Sequence, residues 1–125
     1  MFENEISDKI IGAAIEVHKA LGPGLLESAY HTCLQYELDM AGLRYESEVP
    51  VVVDYKGNII ENAYRVDLLV EDKVIVELKS VDVLMNKHRA QVLTYLRLMR
   101  RKLGLLINFN ESVLKNGLRR VVNDL

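Results

Sequence analysis

Two carboxylates and one ammonium stand at a usable spacing in Val66-Asp67-Leu68-Leu69-Val70-Glu71-Asp72-Lys73-Val74-Ile75-Val76-Glu77-Leu78-Lys79. Apolar, often β-branched residues fill both halves of this run, and Glu71-Asp72-Lys73 breaks it in the middle. The pattern predicts a β-hairpin with a short polar loop. If Val70 pairs with Val74, Asp67 falls opposite Glu77, and opposed residues share a face with Cβ atoms about 5 Å apart. Side chains alternate along a strand, so Lys79 joins Glu77 on that face. A slip of one residue would scatter the set. Two carboxylates, a carbonyl and water suit a hard cation such as Mg²⁺ or Mn²⁺, with substrate phosphate completing the shell. Such a cation would activate water against a phosphodiester, and Lys79 would orient that water or stabilise developing negative charge. The competing account is a structural Lys–Glu pair on a solvated strand face. The apolar surroundings of these charges argue against it.

The rest of the chain must hold this hairpin in place. From about Glu5 to Leu21, Ile6, Ile10, Ala13, Ala14, Val17 and Leu21 recur at helical spacing. Gly22-Pro23-Gly24 ends that helix. A second helix runs from about Leu26 to Ala41, with Gly42 placed to stop it. Val49 to Tyr55 reads as a strand, Lys56-Gly57-Asn58 as a turn, and Ile59 to Val70 as the next strand. Val74 to Lys79 is a third. Helical periodicity returns from about Met85 to Lys102, and Leu105 to Phe109 is a buried strand. Leu118 to Val122 is left open as a short final strand. The order α-α-β-β-β-α-β predicts an α/β domain over residues 1–125 with a mixed central sheet flanked by helices. The third strand, the helix and the fourth strand form a crossover, which predicts parallel pairing and a right-handed connection.

The chain has 125 residues, half of them hydrophobic, enough for one domain with a real core. No apolar run reaches the roughly 20 residues needed to cross a bilayer. The acidic start Met1-Phe2-Glu3-Asn4-Glu5 does not resemble a secretory leader, so a cytoplasmic location with no membrane partner is expected. One cysteine, Cys33, excludes an internal disulfide and a cysteine zinc cluster. Residues 1–62 hold four Lys and Arg against eleven Asp and Glu, net −7, whereas residues 63–125 hold twelve against seven, net +5. This asymmetry suits a polyanion-facing side, and equally two halves that attract each other.

Asp67, with Glu77-Leu78-Lys79 after a gap of nine residues, resembles the core motif of the PD-(D/E)xK nuclease superfamily, with Val66 at the position of its proline. Gly24-Leu25-Leu26-Glu27-Ser28-Ala29-Tyr30 matches the pattern that names the GxxExxY family, and Gln91-Val92-Leu93-Thr94-Tyr95 resembles the QxxxY element of RecB-like nucleases. The motifs fall in the expected order and span roughly residues 5 to 110. The resemblance implies a restriction-endonuclease-like core, Mg²⁺ or Mn²⁺, and a nucleic-acid substrate, DNA ahead of RNA. It implies Asp67, Glu77 and Glu27 as metal ligands, Lys79 as the catalytic lysine, and Gln91 beside the site with Tyr95. A non-catalytic module for nucleic-acid or protein binding on the same fold stays open, as does a phosphodiesterase for a small nucleotide. A homodimer or partner subunit would supply the recognition surface that so short a chain lacks.

Read from the residues alone, each of these positions has a plainer role. Glu27 suits the first turn of a helix, where the dipole favours a carboxylate. Gln91 and Tyr95 share a helix face at four-residue spacing. Gly24 and Tyr30 read as a helix start and a packing residue. Lys87, His88 and Arg89 precede Gln91 and are candidates for phosphate contact, with His88 also readable as a solvated histidine. Arg97, Arg100, Arg101 and Lys102 complement the helix end or contact phosphates. His18 and His31 are read as structural, and Cys33 as a buried thiol.

Overall fold

A computed structural model describes residues 1–125. The first amphipathic stretch forms α1 (Glu3–Leu21), which buries Ile6, Ile10, Ala13, Ala14 and Val17 along one face. Helix α2 (Glu27–Met40) buries Tyr30, Leu34 and Leu38. Strands β1 (Tyr45–Tyr55), β2 (Asn58–Val70) and β3 (Val74–Lys79) follow, then α3 (Asn86–Met99), β4 (Leu103–Asn108), a 3₁₀ turn at Leu114–Gly117 and β5 (Leu118–Val122). The ending left open by periodicity is therefore a 3₁₀ turn and a fifth strand.

The strands lie in sequence order, β1-β2-β3-β4-β5. Only β3 and β4 are parallel, as the crossover through α3 requires. These two central strands are almost wholly buried, which explains their continuous apolar runs. One face packs Leu68, Val70, Val76, Leu78 and Leu105 against α1 and α2. The other packs Val66, Leu69, Ile75 and Leu106 against Val92, Tyr95 and Leu96 of α3. The result is a three-layer sandwich, helices α1 and α2 on one side and α3 on the other.

Helix α3 stops at Met99, three residues before the boundary that periodicity gives. Arg100 adopts a left-handed conformation (φ 57°, ψ 49°), and Arg101 N–H returns to the Leu96 carbonyl. The turn is needed because the chain enters β4 at Leu103. There Gly104 lets the helix approach closely: a Cβ at Gly104 would lie 2.6 Å from Val92 Cγ1.

The β2–β3 hairpin has the register that its sequence predicts, with Val70 opposite Val74 and Leu68 opposite Val76. The β1–β2 pairing is less regular. It shifts between Val51 and Val53, where Asn62 takes a left-handed conformation on β2. From that irregularity outward the hairpin extends into solvent, exposing Val52, Tyr55, Ile59 and Ile60.

Candidate active site

Asp67 and Glu77 meet where β2 and β3 part. The paired register ends at Leu68 and Val76, and side chains take over the next hydrogen bonds. Glu77 Oε1 accepts the Asp67 backbone N–H at 2.9 Å, and Asp67 Oδ2 accepts the Leu78 backbone N–H at 2.7 Å. Each carboxylate thus spends one oxygen on the opposite strand, and neither makes an ion pair. Glu77 is 5% exposed, whereas Asp67 and Lys79 are half-buried.

Two acids this close and this dry disfavour each other's charge. Burial, and then the Asp67 charge, push Glu77 up to about 8. Burial raises Asp67 as well, against the Leu78 N–H bond and the positive fields of His31 and Lys79, which lower it. Lys79 closes β3 opposite Asn108 of β4, near enough to act on Asp67, Glu77 and His88.

Helix α2 brings Glu27 to the rim. Gly24 has φ 101°, a conformation that a side chain would strain. Tyr30 then pins the loop: its hydroxyl donates to the Gly22 carbonyl at 2.6 Å and accepts the Leu25 N–H at 3.1 Å. Its buried ring stacks on Phe109, with centroids 4.5 Å apart. Gly24 and Tyr30 are thus architectural, as expected, and their effect is to set Glu27 on the first residue of α2. Glu27 is exposed and lines a cavity of about 220 Å³ with Ser28, His31, Glu48, Asp67 and Leu78. Its charge also reaches Glu77 and His88.

Helix α3 contributes Tyr95, which is buried. Its hydroxyl is raised by burial first, then by the charges of Glu77, Tyr64 and Asp67. Its ring lies 6.2 Å from that of Tyr64. Gln91 is half-buried one turn earlier. His88 Nδ1 accepts the Met85 N–H at 2.9 Å, so this histidine caps the start of α3. Burial and the neighbouring Lys79 and Lys87 hold His88 below its ordinary value. Lys87 and Arg89 are exposed on the same first turns.

The structure brings Asp67, Glu77, Lys79 and Tyr95 together, with Glu27 and His88 at the margin. No group of three or more His, Cys, Asp and Glu side chains converges closely enough to hold a metal ion. The donor chemistry of the central pair nevertheless fits a divalent cation. Each carboxylate keeps a second oxygen without a protein hydrogen bond, and their mutual repulsion is what a cation relieves.

Sequence reading treated His31 as structural and did not single out Glu48. His31 Nε2 lies 3.2 Å from the Asp67 carbonyl, and Nδ1 lies 3.8 Å from Glu48 Oε1. One signal was available: His31 follows Glu27 by four residues, so both project from one helix face.

Residues 4–121 match the model of a family described as the PD-(D/E)XK nuclease superfamily. No curated protein matches the chain. Among solved structures, the fold is similar to the crystal structure of SSO0001, with a TM-score of 0.61 and 19% identity. The similarity covers 79% of this chain and 51% of that one, so this chain spans about half the length of that relative. At that identity the likeness concerns the fold alone.

Proposed function

The chain belongs to the PD-(D/E)XK nuclease superfamily, and from that premise we propose that it is a metal-dependent nuclease, cutting DNA in preference to RNA. The observation that carries this reading is the reciprocal bonding of Asp67 and Glu77, with Lys79 beside them. Asp67 and Glu77 would hold Mg²⁺ or Mn²⁺, and Glu27 would join through water from the rim. When bound, the cation polarises the phosphate and lowers the pKa of water. Backbone N–H groups of Asp67 and Leu78 fix one oxygen of each acid, so the pair is oriented before substrate arrives. The Lys79 ammonium orients the attacking water and stabilises negative charge on the phosphate oxygens. Gln91 orients substrate, and Tyr95 packs beside it. His88, through its remaining ring nitrogen, and Lys87 and Arg89 contact the nucleic-acid backbone.

Within the superfamily, the Gly24, Glu27 and Tyr30 pattern supports assignment to the GxxExxY family. The same reading has the protein act in the cytoplasm, with a second copy or a partner subunit adding recognition surface.

The test is cleavage of labelled single- and double-stranded DNA and RNA with Mg²⁺ or Mn²⁺, comparing the parent with Asp67→Ala and Lys79→Ala. The expected result is metal-dependent cutting that either substitution reduces by about 10³-fold or more. A folded parent that binds metal and cuts nothing would move the assignment to a non-catalytic binding module.

A further inference from the structure

Asp67 lies at a gap in the sheet. Toward β3, paired register stops one residue short of it. Toward β1, Ser47 pairs with Leu68 and Val49 with Val66, but the register skips Glu48 and Asp67. Glu48 has a left-handed backbone, φ 54°, which non-glycine residues adopt rarely and which clusters at functional sites. The backbone of Asp67 is instead held by side chains. Its N–H donates to Glu77, and its carbonyl faces His31 Nε2 at 3.2 Å. A carbonyl only accepts, so Nε2 carries the proton. Nδ1 of the same ring faces Glu48 Oε1 at 3.8 Å, and Ser47 Oγ lies 3.2 Å from Nε2. The ring thus spans the gap, bonded to Asp67 on β2 and lying beside Ser47 and Glu48 on β1.

We propose that His31 is a positioning residue: its Nε2–H fixes the Asp67 backbone and so aims the Asp67 carboxylate at the site. The gap leaves Asp67 free of ladder constraints, and His31 restores one fixed contact from α2. This helix also carries Glu27, so a single element sets the rim carboxylate and the central one. The metal part of this inference rests on the proposed function; the positioning part does not.

The Leu78 amide reports the aim directly, because it donates to Asp67 Oδ2. Hydrogen exchange of this amide is to be measured in the metal-free parent, His31→Met and His31→Gln. Methionine keeps the length and apolar bulk without a donor, whereas glutamine keeps an N–H. Both side chains suit a helix, so the fold should survive either change. The expected result is exchange at Leu78 about tenfold faster in His31→Met, restored toward the parent in His31→Gln. The Phe109 amide, which donates to the Lys79 carbonyl on the other side of β3, should stay unchanged in both. Unaltered Leu78 exchange in His31→Met overturns the proposal. So does equal acceleration in both variants.

Mn²⁺ titration of the same proteins separates the two readings. Where the parent binds, His31→Met should bind roughly 10- to 100-fold more weakly and His31→Gln should recover most of the loss. Equal Mn²⁺ affinity in parent and His31→Met would overturn the link from His31 to the site. A parent that binds no Mn²⁺ would overturn the metal reading, and Leu78 exchange would still decide the positioning role.

Discussion

With its carboxyl pushed up to about 8, Glu77 holds a proton at neutral pH where a cation would otherwise sit. This has a consequence for stability. A carboxyl raised above its ordinary 4.5 in the folded state contributes stability that is complete below that value and lost as pH climbs through about 8. Glu77→Gln keeps an oxygen for the Asp67 N–H and removes the ionisation. In metal-free urea denaturation, this variant should match the parent at about pH 4, below the ordinary value of 4.5. At pH 9 it should exceed the parent by on the order of 3 kcal/mol. A parent whose stability is flat from pH 5 to pH 9 would show that Glu77 is not strained in its charged form. Asp67 is raised in the same direction, so removing one charge of the pair also eases the other.

Among the elements, α3 and β4 pack closely across a single residue. A methyl at Gly104 would lie 2.6 Å from Val92 Cγ1 and 3.6 Å from both Leu96 Cδ1 and the Ile75 carbonyl. Gly104→Ala should therefore lift α3 from the sheet and cost about 1–3 kcal/mol in urea denaturation. Trimming Val92 to Ala in the same chain should recover part of that, and no recovery would contradict the packing account. By sequence Gly104 reads as the stop of the third helix, but Arg100 makes the left-handed turn after Met99, and Gly104 lies inside β4. Elsewhere legibility followed the strength of the pattern. Helix α1 and strand β3 are long or strongly apolar, so their faces could be read directly. The Asp67–Glu77 meeting was readable because the short loop after Val70 fixes the register. Glu48 was not. Counting back from the Tyr55–Asn58 pair would set Glu48 against Arg65, but the irregularity between Val51 and Val53 moves it opposite Asp67. A bulge of this kind depends on local backbone choices, such as the left-handed Asn62, that no alternation of residue types announces.

Over the whole molecule, charge and layering agree. The acidic first half supplies α1 and α2 on one side of the sheet, and the basic second half supplies α3 on the other. Between Asp82 and Glu111 there is no carboxylate, but there are six Lys and Arg residues. Of these, Lys87 and Arg89 stand on the first turns of α3, the end that follows Lys79, whereas Arg97 to Lys102 lie at its other end, where Arg101 pairs with Asp72. No helix is long and apolar enough to cross a membrane. A cation at Asp67 and Glu77 would join β2 to β3 where their ladder ends, and binding to the folded state alone raises global stability. Thermal unfolding with and without Mn²⁺, in the parent and in Asp67→Asn, tests this claim most directly. The account predicts a parent stabilised by about 2–3 kcal/mol when Mn²⁺ reaches roughly a hundred times its dissociation constant, and a shift largely lost in Asp67→Asn. An unfolding temperature indifferent to Mn²⁺ in the parent, or an equal rise in both proteins, would contradict it.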